Sequence, residues 1–211
     1  SQAQDLHISV LAKSKTSYGE TVSGIDQCLG KFVERLKQIS LYENSIIILT
    51  SDHGDSRGEQ GRLGHAYTLF PEVVRVPLLI HLPVSMQKRF KWDLERIVFT
   101  NDVSPTLHQL LEIYEPQNQP ILGRPLTQTH NRTGPYLLSS SYGPVFAIIN
   151  RNETEMYIAD GVHLREYLYR LGEGDQELIL DETDKTIYRE MVKEQIQQVS
   201  EFYGIKSESG R

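Results

Sequence analysis

Asp52 and His53 stand side by side in the string Thr50-Ser51-Asp52-His53-Gly54. An aspartate offers an anionic oxygen and a neutral histidine a nitrogen, and together they form a donor set suited to a divalent metal ion. Successive side chains leaving a strand reach one ion only if the backbone turns irregularly, which Gly54 permits. The same dipeptide also suits a turn opened by Asp52 with His53 packed nearby. The pair alone leaves both readings open. The other histidines lack such a setting. His81 alternates within an apolar segment, His108 falls in a helical pattern, and His7, His130 and His163 lie in segments without metal-ligand spacing. All five read as structural or surface residues. Cys28 lies on an apolar helical stripe with no neighbour that would lower its pKa, so it reads as a buried packing thiol and not a nucleophile. As the only cysteine it makes no intramolecular disulfide and no CxxC site.

The elements that must carry Asp52 and His53 follow from hydrophobic spacing. Val22, Ile25, Cys28, Leu29, Phe32, Val33, Leu36 and Ile39 recur with the period of a helix burying one stripe, over Tyr18 to Ile39. A polar turn over 40–45 then leads into Ile46-Ile47-Ile48-Leu49, a β-branched run without alternation that suits a strand covered on both faces. Asp52 and His53 come straight after it, at the strand's carboxyl end, where open α/β sheets bind ligands. Gly58, Gly61 and Gly64 mark the following stretch as a loop. A second strand is expected over Val76 to Leu82, closed by Pro83, and a helix over Pro105 to Tyr114 with Thr100 or Ser104 as N-cap.

The proline-rich stretch from Glu115 to Pro144 reads as an extended connection, and beyond it the period changes to two. Tyr136-Leu137-Leu138, Val145 to Ile149, Met156 to Ala159 and His163 to Leu171 read as an antiparallel meander, with turns at Tyr142-Gly143, Asn150-Asn152 and Asp160-Gly161. A closing helix from Asp184 to Tyr203 sets Tyr188, Met191, Val192, Val199 and Phe202 on one side and stops at Gly204. The fold class is therefore α/β: a mixed or mostly parallel sheet flanked by helices over 1–135, then a small antiparallel sheet with a C-terminal helix over 136–211.

Charge marks the same division. Residues 1–150 hold 14 basic and 14 acidic side chains, so the whole net charge of −6 falls in the last 61 residues, which hold 8 and 14. An acidic chain without a basic patch is no electrostatic partner for nucleic acid. With 38% hydrophobic residues and no apolar run approaching the roughly 20 that a membrane span requires, the chain reads as soluble and globular. Its first ten residues lack the basic and apolar regions of a signal peptide. Asn131-Arg132-Thr133 and Asn152-Glu153-Thr154 fit the glycosylation sequon, which matters only in a secretory pathway.

The wider string, Thr50-Ser51-Asp52-His53-Gly54-Asp55-Ser56-Arg57-Gly58-Glu59-Gln60-Gly61, is followed by Gly64-His65 and by Glu72-Val73-Val74-Arg75-Val76-Pro77-Leu78-Leu79. With Asp102-Val103-Ser104-Pro105-Thr106-Leu107 and Gly123-Arg124-Pro125-Leu126 downstream, it closely resembles the carboxyl half of the sulfatase family, within the alkaline-phosphatase-like superfamily. The resemblance covers residues 18 to 127. It implies a hydrolase of sulfate esters, or of related phosphate or phosphonate esters, that uses one divalent cation, calcium first, with manganese or zinc as alternatives. Asp52 and His53 match the family's metal-ligand pair. His65 lies near the place where many members carry a lysine that contacts the sulfate, and a histidine is suited to protonating a leaving group there. Glu72 and Arg75 are expected to hold the loop together and not to touch substrate.

The family's Cys/Ser-x-Pro-x-Arg nucleophile string is absent from this sequence, as are its amino-terminal acidic metal ligands. The chain therefore resembles the second half of an enzyme. Its expected partners are a sulfate or phosphate ester and the missing amino-terminal half, without which it is expected to be inactive. Two other readings remain beside this one: a phosphodiesterase, phosphonate monoester hydrolase or phosphoglycerol transferase relative, and a non-catalytic sulfatase-like binding module.

Overall fold

The computed structural model describes residues 2–89, 92, 97–113, 123–127 and 134–205, with side chains from Ser17 onward. In chain order, helix α1 (Gln2–Gln38) leads to β1 (Ile47–Thr50), the short strands β2 (Ser56–Arg57) and β3 (Leu63–Gly64), the single turn α2 (Pro71–Val74) and β4 (Leu78–His81). The single turn α3 (Val84–Gln87) and α4 (Val103–Leu110) follow. Next come β5 (Tyr136–Ser139), β6 (Val145–Ile149), β7 (Glu155–Asp160), β8 (Arg165–Arg170) and β9 (Gln176–Leu178), and α5 (Glu182–Phe202) closes the chain. Two compact units result, Ser1–Gly64 with Val76–Phe90, and His65–Arg75 with Lys91–Arg211. No described helix is long and apolar enough to cross a membrane.

In the first unit α1 starts well before the expected Tyr18, and its apolar stripe is present but uncovered. Tyr18, Val22, Ile25, Phe32 and Ile39 are 43–56% exposed, and only Leu29, Val33 and Leu36 are half-buried. Cys28 is likewise exposed, which corrects the expectation of a buried thiol: the helical period that puts it on the stripe holds, but among the described residues nothing packs over it.

One sheet of this unit pairs β1 with β4, Ile47 opposite His81 and Leu49 opposite Leu79, and the pair is antiparallel where a mixed or parallel arrangement was expected for β1. A continuous apolar run signals cover on both faces but not direction. Direction follows the connection, and parallel pairing needs a long crossover, usually a helix. Between β1 and β4 the chain has only the β2–β3 hairpin and the single turn α2. Ile47, Ile48 and Leu49 are accordingly half-buried, and Leu79 is exposed. His81 is structural, as expected. Its ring stacks on Tyr42 with centroids 4.1 Å apart, and its Nε2 lies 3.1 Å from the Tyr42 carbonyl oxygen.

The second unit is built on a five-stranded antiparallel meander in the order β5-β6-β7-β8-β9. Its first four strands follow the sequence reading; β9 is an addition. Period-two alternation sends the two faces of each strand into separate cores. Val145, Ala147, Ile149, Met156, Ile158 and Tyr169 join Leu69 and Phe70 on one face. Ile148, Tyr157 and Leu168 join Tyr188 and Val192 of α5 on the other. Phe70 meets Tyr167 and Tyr169 edge-on at 5.0 and 6.1 Å. Arg75 grips Asp175 through two bonds of 2.8 and 3.0 Å, a structural role in keeping with the sequence reading.

Helix α5 begins where the Asp181 carboxylate accepts from the Asp184 N–H at 2.8 Å. It lies on the sheet with Tyr188 stacked on Tyr157, centroids 5.1 Å apart. The Tyr188 hydroxyl donates to Glu155 at 2.7 Å, and the Tyr157 hydroxyl donates to Glu166. Burial, aided by these carboxylates, pushes both phenols well above their ordinary range. Arg189 donates twice to Glu166, at 2.7 and 2.6 Å, and these bonds hold the Glu166 carboxyl below its ordinary value. Phe202 faces Tyr203 instead of the sheet and is 43% exposed.

At α4 the cap is neither Thr100 nor Ser104. The buried Asp102 carboxylate accepts from the Phe99 and Arg124 N–H groups at 3.0 and 2.8 Å, so one acid caps the short 3-10 turn that leads into the helix and ties segment 123–127 to it. Thr106 completes the tie, donating to the Asp102 carbonyl at 2.6 Å and accepting from the Leu126 N–H at 2.9 Å. Gly123 is forced by this approach, since a Cβ there would sit 1.9 Å from the Asn101 carbonyl oxygen. Tyr114, the Asn131 sequon and two stretches of the expected proline-rich connection, 115–122 and 128–133, lie outside the described residues.

Two outcomes follow. Ile148→Ala, at a position with no exposed surface, is expected to cost about 2–5 kcal/mol in urea unfolding. A carboxyl held below its ordinary value of 4.5 contributes stability that is present above that value and lost as pH falls through the lowered one. Glu166→Gln is therefore expected to lower the melting temperature at pH 7 and to shrink the further drop on acidification from pH 5 to pH 3, read from thermal melts across that range.

Candidate metal site

Strand β1 delivers the chain to the site. Its ladder with β4 ends at Thr50, opposite Leu78, and the next five residues form an irregular turn before the β2–β3 hairpin begins at Ser56. Local hydrogen bonds shape this turn. The Ser51 hydroxyl donates to the His53 carbonyl at 2.7 Å, and the His53 N–H donates to Asp52 Oδ1 at 3.0 Å. That second bond, together with the Asp52 N–H and the charge of the neighbouring ring when it is protonated, holds the Asp52 carboxyl below its ordinary range; like any aspartate it is ionised at neutral pH.

The imidazole is oriented as well. His53 Nδ1 lies 2.8 Å from the Gly54 carbonyl oxygen, which only accepts, so Nδ1 carries the proton in this arrangement. In the neutral ring Nε2 then presents a lone pair, and it lies 3.8 Å from Asp52 Oδ2. Two electron-rich atoms held this close call for a positive charge beside them, either a proton on the ring or a cation shared by both. Asp52 is 87% exposed and His53 44% exposed, so an ion reaches them without opening the fold. The donor set of one carboxylate oxygen and one imidazole nitrogen fits calcium, manganese or zinc in type but supplies only two of the ligands such ions take. Among the described residues no group of three or more His, Cys, Asp or Glu side chains could hold a metal.

The structure thus brings Asp52 and His53 together at a strand's carboxyl end. His65 belongs to the second unit, half-buried in the segment between β3 and α2. Glu72 is in α2 and Arg75 follows it, bound to Asp175. Two further residues, one in each unit, were not singled out by sequence reasoning. Arg57, in β2, packs its guanidinium over the Tyr18 ring of α1, with Cζ 4.4 Å from the ring centroid. Tyr67 adopts φ +58°, a left-handed backbone unusual for a bulky residue, and its ring lies 5.7 Å from that of Tyr142. An arginine two residues beyond an aspartate was a legible ion-pair signal; the Tyr67 backbone left none.

Because Asp52 is so exposed, its loss should not unsettle the fold. Asp52→Asn is expected to leave the metal-free melting temperature unchanged, and a clear drop in a thermal melt would mark Asp52 as a structural turn residue.

The sulfatase family model matches residues 2–113 of this chain. An endo-4-O-sulfatase of Bacteroides thetaiotaomicron is 29% identical over 96 residues, covering 46% of this chain and 18% of that protein. Choline-sulfatase of Rhizobium meliloti is 29% identical over 144 residues, covering 64% of this chain and 27% of the enzyme. A structure solved in complex with its substrate D-glucosamine-2-N,6-O-disulfate overlays with a TM-score of 0.61 at 17% identity, over 90% of this chain and 41% of that one, a likeness of fold. The chain spans about a fifth to a quarter of the length of these curated relatives.

Proposed function

The chain belongs to the sulfatase family, and from that premise we propose that it is the carboxyl-terminal portion of a metal-dependent hydrolase of sulfuric esters. The observation that carries the proposal is the pairing of an ionised Asp52 with an oriented His53 at the end of β1, in a chain of this family. Asp52 and His53 hold one divalent ion, calcium first, with manganese or zinc as alternatives. When bound, the ion supplies Lewis-acid polarisation of the ester oxygens.

The chain's own residues do the rest of what falls to this half. Asp52 contributes the negative charge that attracts the cation. His53, fixed through Nδ1 by the Gly54 carbonyl, contributes the nitrogen donor without a rotational search. His65 delivers a proton to the departing alcohol oxygen, a task suited to an imidazole near neutral pH. The nucleophile and the remaining ligands come from the rest of the enzyme. The short span relative to curated relatives supports this, as does the uncovered apolar stripe of α1, which is the kind of surface another part of a protein buries.

Tests follow from these roles. The 211-residue chain is expected to show no turnover of an aryl sulfate above background, and turnover abolished by Asp52→Asn in the isolated chain would overturn the division of labour. In the longer protein that contains this sequence, Asp52→Asn is expected to lower kcat/KM by more than about a hundredfold and to remove the rise in melting temperature on adding calcium or manganese. His65→Ala should cost about 10²–10⁴ in kcat with an alkyl sulfate and far less with an activated aryl sulfate, whose leaving group needs no proton. Preferred turnover of a phosphonate monoester or phosphodiester would place the chain with the phosphate-handling relatives.

A further inference from the structure

The turn that carries Asp52 and His53 is shaped by bonds that span at most two residues. Such bonds fix its local form. Contacts to elements distant in sequence anchor a turn to the rest of its unit, and one side chain beside this turn makes such a contact. Arg57 Nη2 lies 3.1 Å from Asp55 Oδ2, two residues past His53, while the same guanidinium covers the Tyr18 ring at 4.4 Å. The Arg57 backbone N–H also donates to the Glu59 carboxylate, and β2 pairs Arg57 with Leu63. Next to it, Ser56 is 1% exposed, so the strand that bears the arginine is seated firmly.

Among the described residues the buried Nε of Arg57 has no hydrogen-bond partner. An unmet buried donor is costly and marks a side chain placed by something else. The ring of Tyr18 and the carboxylate of Asp55 place this one. Only a flat, delocalised cation lies against a ring and pairs with a carboxylate at once in this way, and a lysine ammonium is a poor substitute.

Resting on the assignment of Asp52 and His53 as metal ligands, we infer that Arg57 is a positioning residue for them: it clasps the turn to α1 through Tyr18 and thereby sets how tightly the pair holds a divalent ion. Arg57 touches neither the ion nor substrate. Its effect passes through Asp55 and Gly54 to Asp52 and His53, and Tyr18, on another element, is part of the same device.

The test is a Mn²⁺ titration of this chain followed by broadening of the His53 imidazole resonances, together with amide hydrogen exchange at His53 without metal. Arg57→Ala is expected to raise the Mn²⁺ midpoint about tenfold, the loss typical when a group that orients a ligand is removed. Tyr18→Ala should do the same and Tyr18→Phe should not, since the ring face is kept. The double variant Tyr18→Ala/Arg57→Ala should be no worse than either alone, because one clasp is broken twice. Arg57→Lys should fall between wild type and Arg57→Ala. Without metal, Arg57→Ala should speed exchange of the His53 N–H. An unchanged midpoint in Arg57→Ala, or additive losses in the double variant, would overturn the inference. If wild type and Asp52→Ala broaden alike, the metal assignment itself fails, and the link from Arg57 to metal affinity falls with it. The metal-free exchange then decides the clasp alone, and equal rates in wild type and Arg57→Ala would overturn that as well.

Discussion

The pleat of β6 is the constraint on which the second unit rests. Five consecutive residues send Val145, Ala147 and Ile149 to one core and Phe146 and Ile148 to the other, so the strand is the shared wall of two hydrophobic layers. A slip of one residue in its pairing would exchange every side chain between them. The two layers differ in shape. One receives Leu69 and Phe70 from a loop segment, and the other receives the tyrosine and valine of a helix, so the exchanged sets would not fit. The register is thereby fixed from both sides, and the turns at the strand ends follow from it. Asp160 shows the consequence at one corner. Its buried carboxylate accepts from the Val162 and His163 N–H groups at 2.9 Å each and pairs with the His163 ring at 2.7 Å.

The first unit works by a different logic. Its two sheets have two strands each, and its long helix shows an apolar stripe to solvent. What is tightly specified is the turn after β1. There a carboxylate that accepts from a backbone N–H faces an imidazole nitrogen whose lone pair is aimed by the opposite ring nitrogen. The short bonds from Ser51 and within the turn keep the two groups side by side at the surface.

The legibility of the fold in the sequence divides along the same line. The meander and the closing helix were readable because alternation and the helical period report burial directly, and in the second unit that burial is realised. Cys28 and the stripe around it were readable as a helix but not as exposed, since a periodic pattern records which face is apolar and not what covers it. The direction of β1 against β4 was illegible for a related reason: it depends on the connection between them, whose hairpin lay hidden in a glycine-rich stretch. The cap of α4 was missed because Asp102 bonds a segment more than twenty residues away as well as the turn that leads into the helix. Asp52 and His53 could be placed together at the end of β1 from sequence because adjacency and a preceding apolar run carry that placement, whatever the surrounding elements. The clasp by Arg57 joins residues 39 positions apart, which spacing alone does not reveal.

The route of the chain between its units has a consequence for synthesis. Leu69, Phe70 and Val73 emerge about 100 residues ahead of the groups they meet, since the core that shelters Leu69 and Phe70 includes Tyr169 and Arg75 finds its partner only at Asp175. At the usual pace of about 5–20 residues per second, roughly 5–20 seconds pass between the appearance of these groups and that of their partners. Through that interval an apolar leucine-phenylalanine pair and an unpaired arginine travel exposed on the nascent chain. Until Tyr169 and Asp175 have emerged, segment 65–75 is a natural place for a chaperone to hold.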